Sequence, residues 1–155
     1  MGMFSSINIA ATGMSAERLR TDVISDNIAN ASTTRTQDGT RGPYLRRKVI
    51  LKAVGEQPVF SNPFVPKEFD GVMKGVKVHE ILTDRPEDAK TRFVYDPTHP
   101  DAILTGERTG YVEYPDVNIV NEMVDLISAS RAYEANATVI QGAKEMFSAA
   151  LEIGR

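Results

Sequence analysis

Residues 116–155 read DVNIVNEMVDLISASRAYEANATVIQGAKEMFSAALEIGR, and this stretch decides the fold of the chain. Apolar residues recur in it at alternating steps of four and three, which is the spacing of a coiled-coil seam. The predicted seam consists of Ile119, Met123, Leu126, Tyr133, Ile140, Phe147 and Leu151. Ser130 and Lys144 interrupt the pattern, and either Asp116 or Asn118 can cap its start. The stretch therefore predicts one long helix.

A helix from Ile119 to Ile153 would be about 52 Å long at the usual rise per residue. A chain of 155 residues cannot cover the whole of such a helix by itself. Additional apolar residues widen the stripe and give the helix room for more than one neighbour. They are Val120, Val124, Ile127, Ala143 and Met146. We therefore predict that this helix packs against partner helices, and the alternative is a long surface helix on a bundle.

A second amphipathic helix is predicted from Ser5 to about Ala31, because its apolar residues are mostly three or four positions apart. Those predicted to pack against helices are Ile7, Met14, Leu19, Val23 and Ile28. Gly13 lies inside this helix and weakens it by roughly 1 kcal/mol relative to Ala. Near its end, Asn27 and Asn30 either terminate the helix, since Asn competes for backbone hydrogen bonds, or contact another subunit.

The middle of the chain is rich in β-branched residues and in proline. Its runs of β-branched and aliphatic residues predict strands, at 44–54, 75–82, 92–95 and 111–113. Residues 56–71 contain three prolines among three phenylalanines and read as an irregular segment.

The predicted fold class is mainly α with a small β insertion. The long N- and C-terminal helices are expected to pair as an antiparallel coiled coil and to form one assembly domain together. The predicted segments are an N-terminal assembly helix at 1–34, a β-rich and proline-rich middle region at 35–115, and a C-terminal coiled-coil helix at 116–155.

Composition argues against several classes of function. The chain is 41% hydrophobic and 25% charged with a formal net charge of −3, and without a basic patch we expect no nucleic-acid partner. No apolar run approaches the length of a membrane span. The first residues lack the basic and apolar regions of a cleavable secretory signal, so we do not expect such a signal.

The sequence offers no catalytic constellation, and we predict no catalytic residue, cofactor or metal site. The chain has no cysteine, and its two histidines, His79 and His99, lack the spacing of a metal site. A phosphate-binding glycine motif is absent as well. Long apolar stripes usually mark an interface, which favours an assembly protein. The alternative from another class is a small helical bundle with a ligand-binding or enzymatic site beside the segment 60–69.

Three segments carry a resemblance to a known family. SDNIANAST at 25–33 resembles the N-terminal signature of the bacterial flagellar rod, hook and hook-associated proteins. NIVNEMVDLI at 118–127, followed by SRAYEAN at 130–136, is similar to their C-terminal signature. DPTHPDA at 96–102, with the GYV and YP that follow it, most resembles the proximal rod members. The loop at 103–109 departs from the family pattern by being longer.

The resemblance implies a non-enzymatic subunit of the proximal rod, whose terminal helices assemble into a tubular drive shaft that transmits torque from the motor ring to the hook. Implied partners are other copies of the chain, proximal and distal rod proteins, the motor-ring/rod junction protein and the flagellar export apparatus, with no small-molecule substrate. The predicted polar contacts between subunits are Asn27, Asn30, Arg131 and Asn136. Another rod or hook paralogue is the alternative within the family.

The resemblance also implies a location in the rod of the flagellar basal body. This is the periplasm where the species has an outer membrane. Type III export would deliver the subunit there without a cleaved signal peptide.

Overall fold

The computed structural model describes residues 3–35, 39, 42–54, 75–84 and 91–153. The described elements, in chain order, are helix α1 (Met3–Ala29), strands β1 (Arg47–Ala53), β2 (Val76–Thr83), β3 (Thr91–Tyr95) and β4 (Tyr111–Pro115), and helix α2 (Ile119–Ile153). As predicted, one helix precedes and the other follows a small β-sheet region along the chain. The predicted irregular segment 56–71 lies outside the described residues.

The strands form two pairs. β1 pairs with β2, and β3 pairs antiparallel with β4 in the register from Thr91↔Pro115 to Tyr95↔Tyr111. The Tyr95 and Tyr111 rings lie 5.2 Å apart, edge to face. Gly110 has a φ of 84°, and a Cβ there would lie 2.9 Å from the Tyr95 ring, so the turn before β4 requires glycine.

Side chains at the helix ends account for where the helices begin and end. Asn118 Oδ1 accepts hydrogen bonds from the backbone N–H groups of Val120 (3.0 Å) and Asn121 (3.3 Å), so it is the N-cap of α2. At the end of α1, Asn30 Nδ2 donates to the backbone oxygen of Asp26 at 2.9 Å. The same oxygen also accepts the Asn30 backbone N–H at 3.0 Å, so the side chain adds a second hydrogen bond where α1 ends. The terminating role of Asn30 stays a prediction.

The chain divides into two compact units, and both helices contribute to each of them. Unit 1 comprises Met1–Thr21, Val49–Glu80 and Ser128–Arg155. Unit 2 comprises Asp22–Lys48 and Ile81–Ile127. None of the helices in the described part of the chain is both long enough and apolar enough to cross a membrane.

In unit 1, α1 and α2 run antiparallel. The Phe4 and Phe147 rings lie 6.2 Å apart, and a Cβ on Gly13 would lie 2.9 Å from Asn136 Nδ2. Among the described residues of this unit, the buried hydrophobic ones are all small: Ala10, Ala16, Ala129 and Ala143. Because small side chains leave little between two helix backbones, α1 and α2 approach closely here.

Candidate assembly site

Asn27, in the N-terminal signature, is 1% exposed at the end of α1 in unit 2. Its Nδ2 donates to the backbone oxygen of Arg47 at 2.8 Å and to Glu122 Oε2 at 3.1 Å. Its Oδ1 accepts from the backbone N–H of Arg47 at 3.0 Å and from the Tyr44 hydroxyl at 3.0 Å. An amide has two donor hydrogens and one acceptor oxygen, so Asn27 is fully hydrogen-bonded within the subunit.

Glu122, in the C-terminal signature, is also 1% exposed. A buried carboxylate is stable only when it is paired and hydrogen-bonded. Arg46 supplies the opposite charge, and its Nε lies 2.7 Å from Glu122 Oε1. The carboxylate also lies in the first turn of α2, where the helix dipole favours a negative charge.

Tyr44 completes this group, which we call the signature network and define as Asp26, Asn27, Tyr44, Arg46, Arg47 and Glu122. The Tyr44 hydroxyl lies 3.2 Å from Asp26 Oδ2. Burial, followed by the negative charge of Asp26, raises the pKa of Tyr44 to about 12. The phenol therefore stays neutral at physiological pH and can donate a hydrogen bond.

Asp101, in the DPTHPDA segment, connects that segment to the chain that follows α1. One of its oxygens lies 2.7 Å from the Arg35 guanidinium, and the other accepts from the Thr34 hydroxyl at 2.8 Å. The hydrogen bonds from Arg35, and then from Thr34, lower the pKa of the Asp101 carboxyl. His99 Nδ1 accepts from the Asp101 backbone N–H at 3.1 Å and holds the turn.

The row that α2 buries differs from part of the predicted seam. The buried residues Glu122, Ala129 and Ala143 are spaced by multiples of seven, and half-buried Asn136 continues the same row. Leu126 and Ile140 of the predicted seam are half-buried beside it. Other predicted seam residues are exposed in the single chain: Ile119, Met123, Tyr133, Phe147 and Leu151.

The predicted apolar residues of α1 are more buried than those of α2. Val23 is buried, and the half-buried members are Ile7, Met14, Leu19 and Ile28. Of the predicted polar contacts, Arg131 is exposed, and Asn136 Nδ2 donates to the backbone oxygen of Ala132 at 2.9 Å. The contacts of all these residues with other subunits stay a prediction.

Comparison with known proteins agrees with the two signatures. The family model described as "Flagella basal body rod protein" matches residues 7–36, and "Flagellar basal body rod FlgEFG protein C-terminal" matches residues 108–153. Flagellar basal-body rod protein FlgC of Borreliella burgdorferi is 54% identical over 154 residues, covering 99% of this chain and 98% of its own length. The chain belongs to the FlgC family of flagellar basal-body rod proteins.

Other FlgC proteins are similar over the full length of the chain. FlgC of Bacillus subtilis is 42% identical and FlgC of Salmonella typhimurium is 32% identical, each with 100% of both chains covered. This FlgC-family chain is a structural subunit of the flagellar basal-body rod and not an enzyme.

Sequence reasoning missed most of the signature network of this FlgC-family chain. It assigned no role to Tyr44, Arg46 or Arg47, and it did not predict that Glu122 is buried. A usable signal was the single carboxylate between apolar residues in IVNEMV at 119–124, together with Arg46 just before β1 and Arg47 at its start. Their pairing depends on a contact across 76 sequence positions, which no local pattern reports.

Proposed function

We propose that this FlgC-family chain is a subunit of the proximal rod that assembles through its terminal helices into a tubular drive shaft, which transmits torque from the motor ring to the hook. The observation that carries the proposal is the exposure of large apolar side chains along α2. Val120 is 69% exposed, and Met146 is 63% exposed. Exposed apolar surface of this extent is typical of a protein–protein interface.

The proposed division of the chain follows from this role. Segments 1–34 and 116–155 form one assembly domain as an antiparallel coiled coil, and segment 35–115 is a separate middle region. The antiparallel course of α1 and α2 in unit 1 supports the pairing. The proposed seam contacts are Ile7, Met14, Leu19, Val23, Ile28, Ile119, Met123, Leu126, Tyr133, Ile140, Phe147 and Leu151. The proposed polar contacts between subunits are Asn30, Arg131 and Asn136; Asn27, predicted with them, is buried and fully hydrogen-bonded within the subunit.

The proposed partners are further copies of the chain, the other proximal and distal rod proteins, and the junction protein at the motor ring. The names of the relatives, all rod proteins, support this set. We place the subunit in the periplasm where an outer membrane exists, after passage through the flagellar export apparatus.

The test is a matched pair of substitutions on one turn of α2. Met123 is 51% exposed, so Met123→Asp should leave the subunit folded while placing a charge in the assembled seam. Asn121→Asp adds the same charge at the neighbouring exposed position. Expressed in a strain that lacks its own copy, Met123→Asp should abolish swimming and be absent from purified basal bodies, and Asn121→Asp should support both. Normal swimming with Met123→Asp would show that this part of the seam is misassigned.

A further inference from the structure

An outward row of α2 lies on the side of the helix opposite the buried Glu122 and Ala129. Its members recur at alternating steps of four and three, and all are exposed: Val120, Val124, Ile127, Arg131, Glu134 and Thr138. Val124 is 61% exposed and Ile127 is 54% exposed. The row is thus apolar where α2 begins and charged where it continues.

An outward row of α1 has the same spacing and a different character. Its exposed members are Ala11, Ser15, Arg18, Asp22, Ser25 and Ala29. Apart from Arg18 and Asp22, these side chains are small. A row of small side chains can accept the larger side chains of a second helix that packs at the same spacing.

The charged members of the two rows are Arg18 and Asp22 on α1 and Arg131 and Glu134 on α2. Within the ranges that the structure describes, no ion pair includes Arg18, Asp22, Arg131 or Glu134. Each is exposed. These four charges are therefore available to a neighbouring molecule.

The two rows complement each other when they are aligned antiparallel. In this alignment each of the four charges faces an opposite charge, and the apolar side chains of Val124 and Ile127 each face a small one. The facing pairs are Arg131 with Asp22, Glu134 with Arg18, Ile127 with Ser25, and Val124 with Ala29. Since opposite charges fix the register of packed helices, this alignment is specified at two positions at once.

Other alignments of the two rows do not place every charge opposite one of the other sign. Sliding the rows by half a heptad in one direction sets Arg131 against Arg18. Sliding them in the other direction sets Glu134 against Asp22. A parallel alignment that keeps Arg131 with Asp22 leaves Glu134 facing Ser25. Like charges that face each other oppose association, so the sequence of charges selects the antiparallel register.

From this complementarity we infer that the outward row of α2 docks on the outward row of α1 of a second copy of the chain. The inference rests on the proposed function, and it names the partner and the surface of that assembly. The two rows are different surfaces, so the contact is heterologous, and repeated heterologous contacts build rings or open helical filaments. Such a contact can therefore continue around a tube.

A charge-reversal experiment tests the pairing of Arg131 with Asp22. The single variants Arg131→Glu and Asp22→Arg should each lower the amount of chain recovered in basal bodies by about fivefold or more, because each sets like charges opposite each other. The double variant should restore recovery to within about twofold of the wild type. Glu145→Arg, an exposed reversal farther along α2, is the control for a general charge effect.

The amount of the double variant recovered in basal bodies distinguishes the possible outcomes. Restoration by the second reversal supports the inference. A double variant that is no better than either single variant overturns the inference. Recovery of the wild-type chain in basal bodies tests the proposed function separately. If the wild-type chain were absent from basal bodies, both the proposed function and this inference would be wrong.

Disulfide cross-linking gives an independent readout, because the chain contains no cysteine. A chain that carries both Val124→Cys and Ala29→Cys should form dimers and higher multiples when intact basal bodies are oxidised, since bridged Cβ atoms must lie within about 4.5 Å. A matched chain with Val124→Cys and Asn8→Cys places the second thiol at the far end of α1 and should stay monomeric. Basal bodies that contain the first variant but yield only monomer would overturn the inference while the proposed function stands.

Discussion

At the residue scale, the carboxylate of Glu122 joins three separate parts of the chain. It accepts hydrogen bonds from Asn27 at the end of α1 and from Arg46 before β1, and it lies in the first turn of α2. With 1% of its surface exposed, the carboxylate depends on these partners for its stability. The signature residues therefore have a structural role within each subunit, in addition to any role between subunits.

Glu122→Gln keeps the shape of the side chain and removes its charge. We expect the free energy of unfolding to fall by roughly 2 kcal/mol, because the charge-assisted bonds to Arg46 and Asn27 are weakened. Denaturant unfolding of the purified chain measures the change. Glu152→Gln removes an exposed carboxylate from the same helix and should have little effect. Equal stability of the two variants would contradict the role of Glu122.

Asp101 makes stability depend on acidity. Hydrogen bonds from Arg35 and Thr34 lower its folded pKa below the value of about 3.9 expected for an unfolded chain. Its contribution is therefore complete above that unfolded value and is lost as pH falls through the lower folded pKa. Asp101→Asn should lower the thermal unfolding midpoint at neutral pH. Acidification should then lower the midpoint of this variant less than it lowers that of the wild type. Asp116→Asn, at an exposed position, is the control and should follow the wild-type curve.

At the element scale, small residues control how closely the helices pack. Gly13 lowers the helical propensity of α1. The structure explains why glycine is present, because the side chain of Asn136 in α2 occupies the space that a Cβ at position 13 would need. Asn136 cannot simply swing away, because its Nδ2 donates to the backbone of Ala132 at 2.9 Å. Glycine and asparagine thus form one packing contact in unit 1.

This contact predicts coupling between two substitutions. In the wild-type chain, Gly13→Ala should raise the free energy of unfolding little or not at all, because the gain in helix propensity of about 1 kcal/mol is offset by the collision with Asn136. In an Asn136→Ala background the same change should stabilise the chain by about that amount. Thermal denaturation of the four proteins measures the cycle. Additive effects would show that the two side chains do not interact.

At the scale of the whole molecule, the two helices carry exposed rows that we infer to be complementary surfaces. Both helices keep exposed rows, and α2 carries half of the exposed large apolar side chains among the described residues. A monomer with this surface is suited to lateral contact with other subunits, which agrees with the membership of the FlgC family. We propose that the same long helices serve both the fold of one subunit and the contacts between subunits.

The sequence by itself determined the elements and the family. The apolar spacing predicted α1 and α2 close to their observed bounds, runs of β-branched residues predicted the strands, and SDNIANAST with NIVNEMVDLI indicated the rod family. These features are local, because each depends on residues within a few turns of one another.

Only the tertiary structure decided which row α2 buries and which polar residues meet. Apolar periodicity favoured Met123, yet the buried row passes through Glu122 and Ala129. Glu122 is buried with its partners Asn27 and Arg46, and the small side chain of Ala129 allows close helix contact. Likewise, Asn27 and Glu122 are 95 positions apart, and their hydrogen bond exists only because the folded chain brings the end of α1 to the start of α2. Contacts of that kind depend on distance in space, which the order of residues does not encode locally.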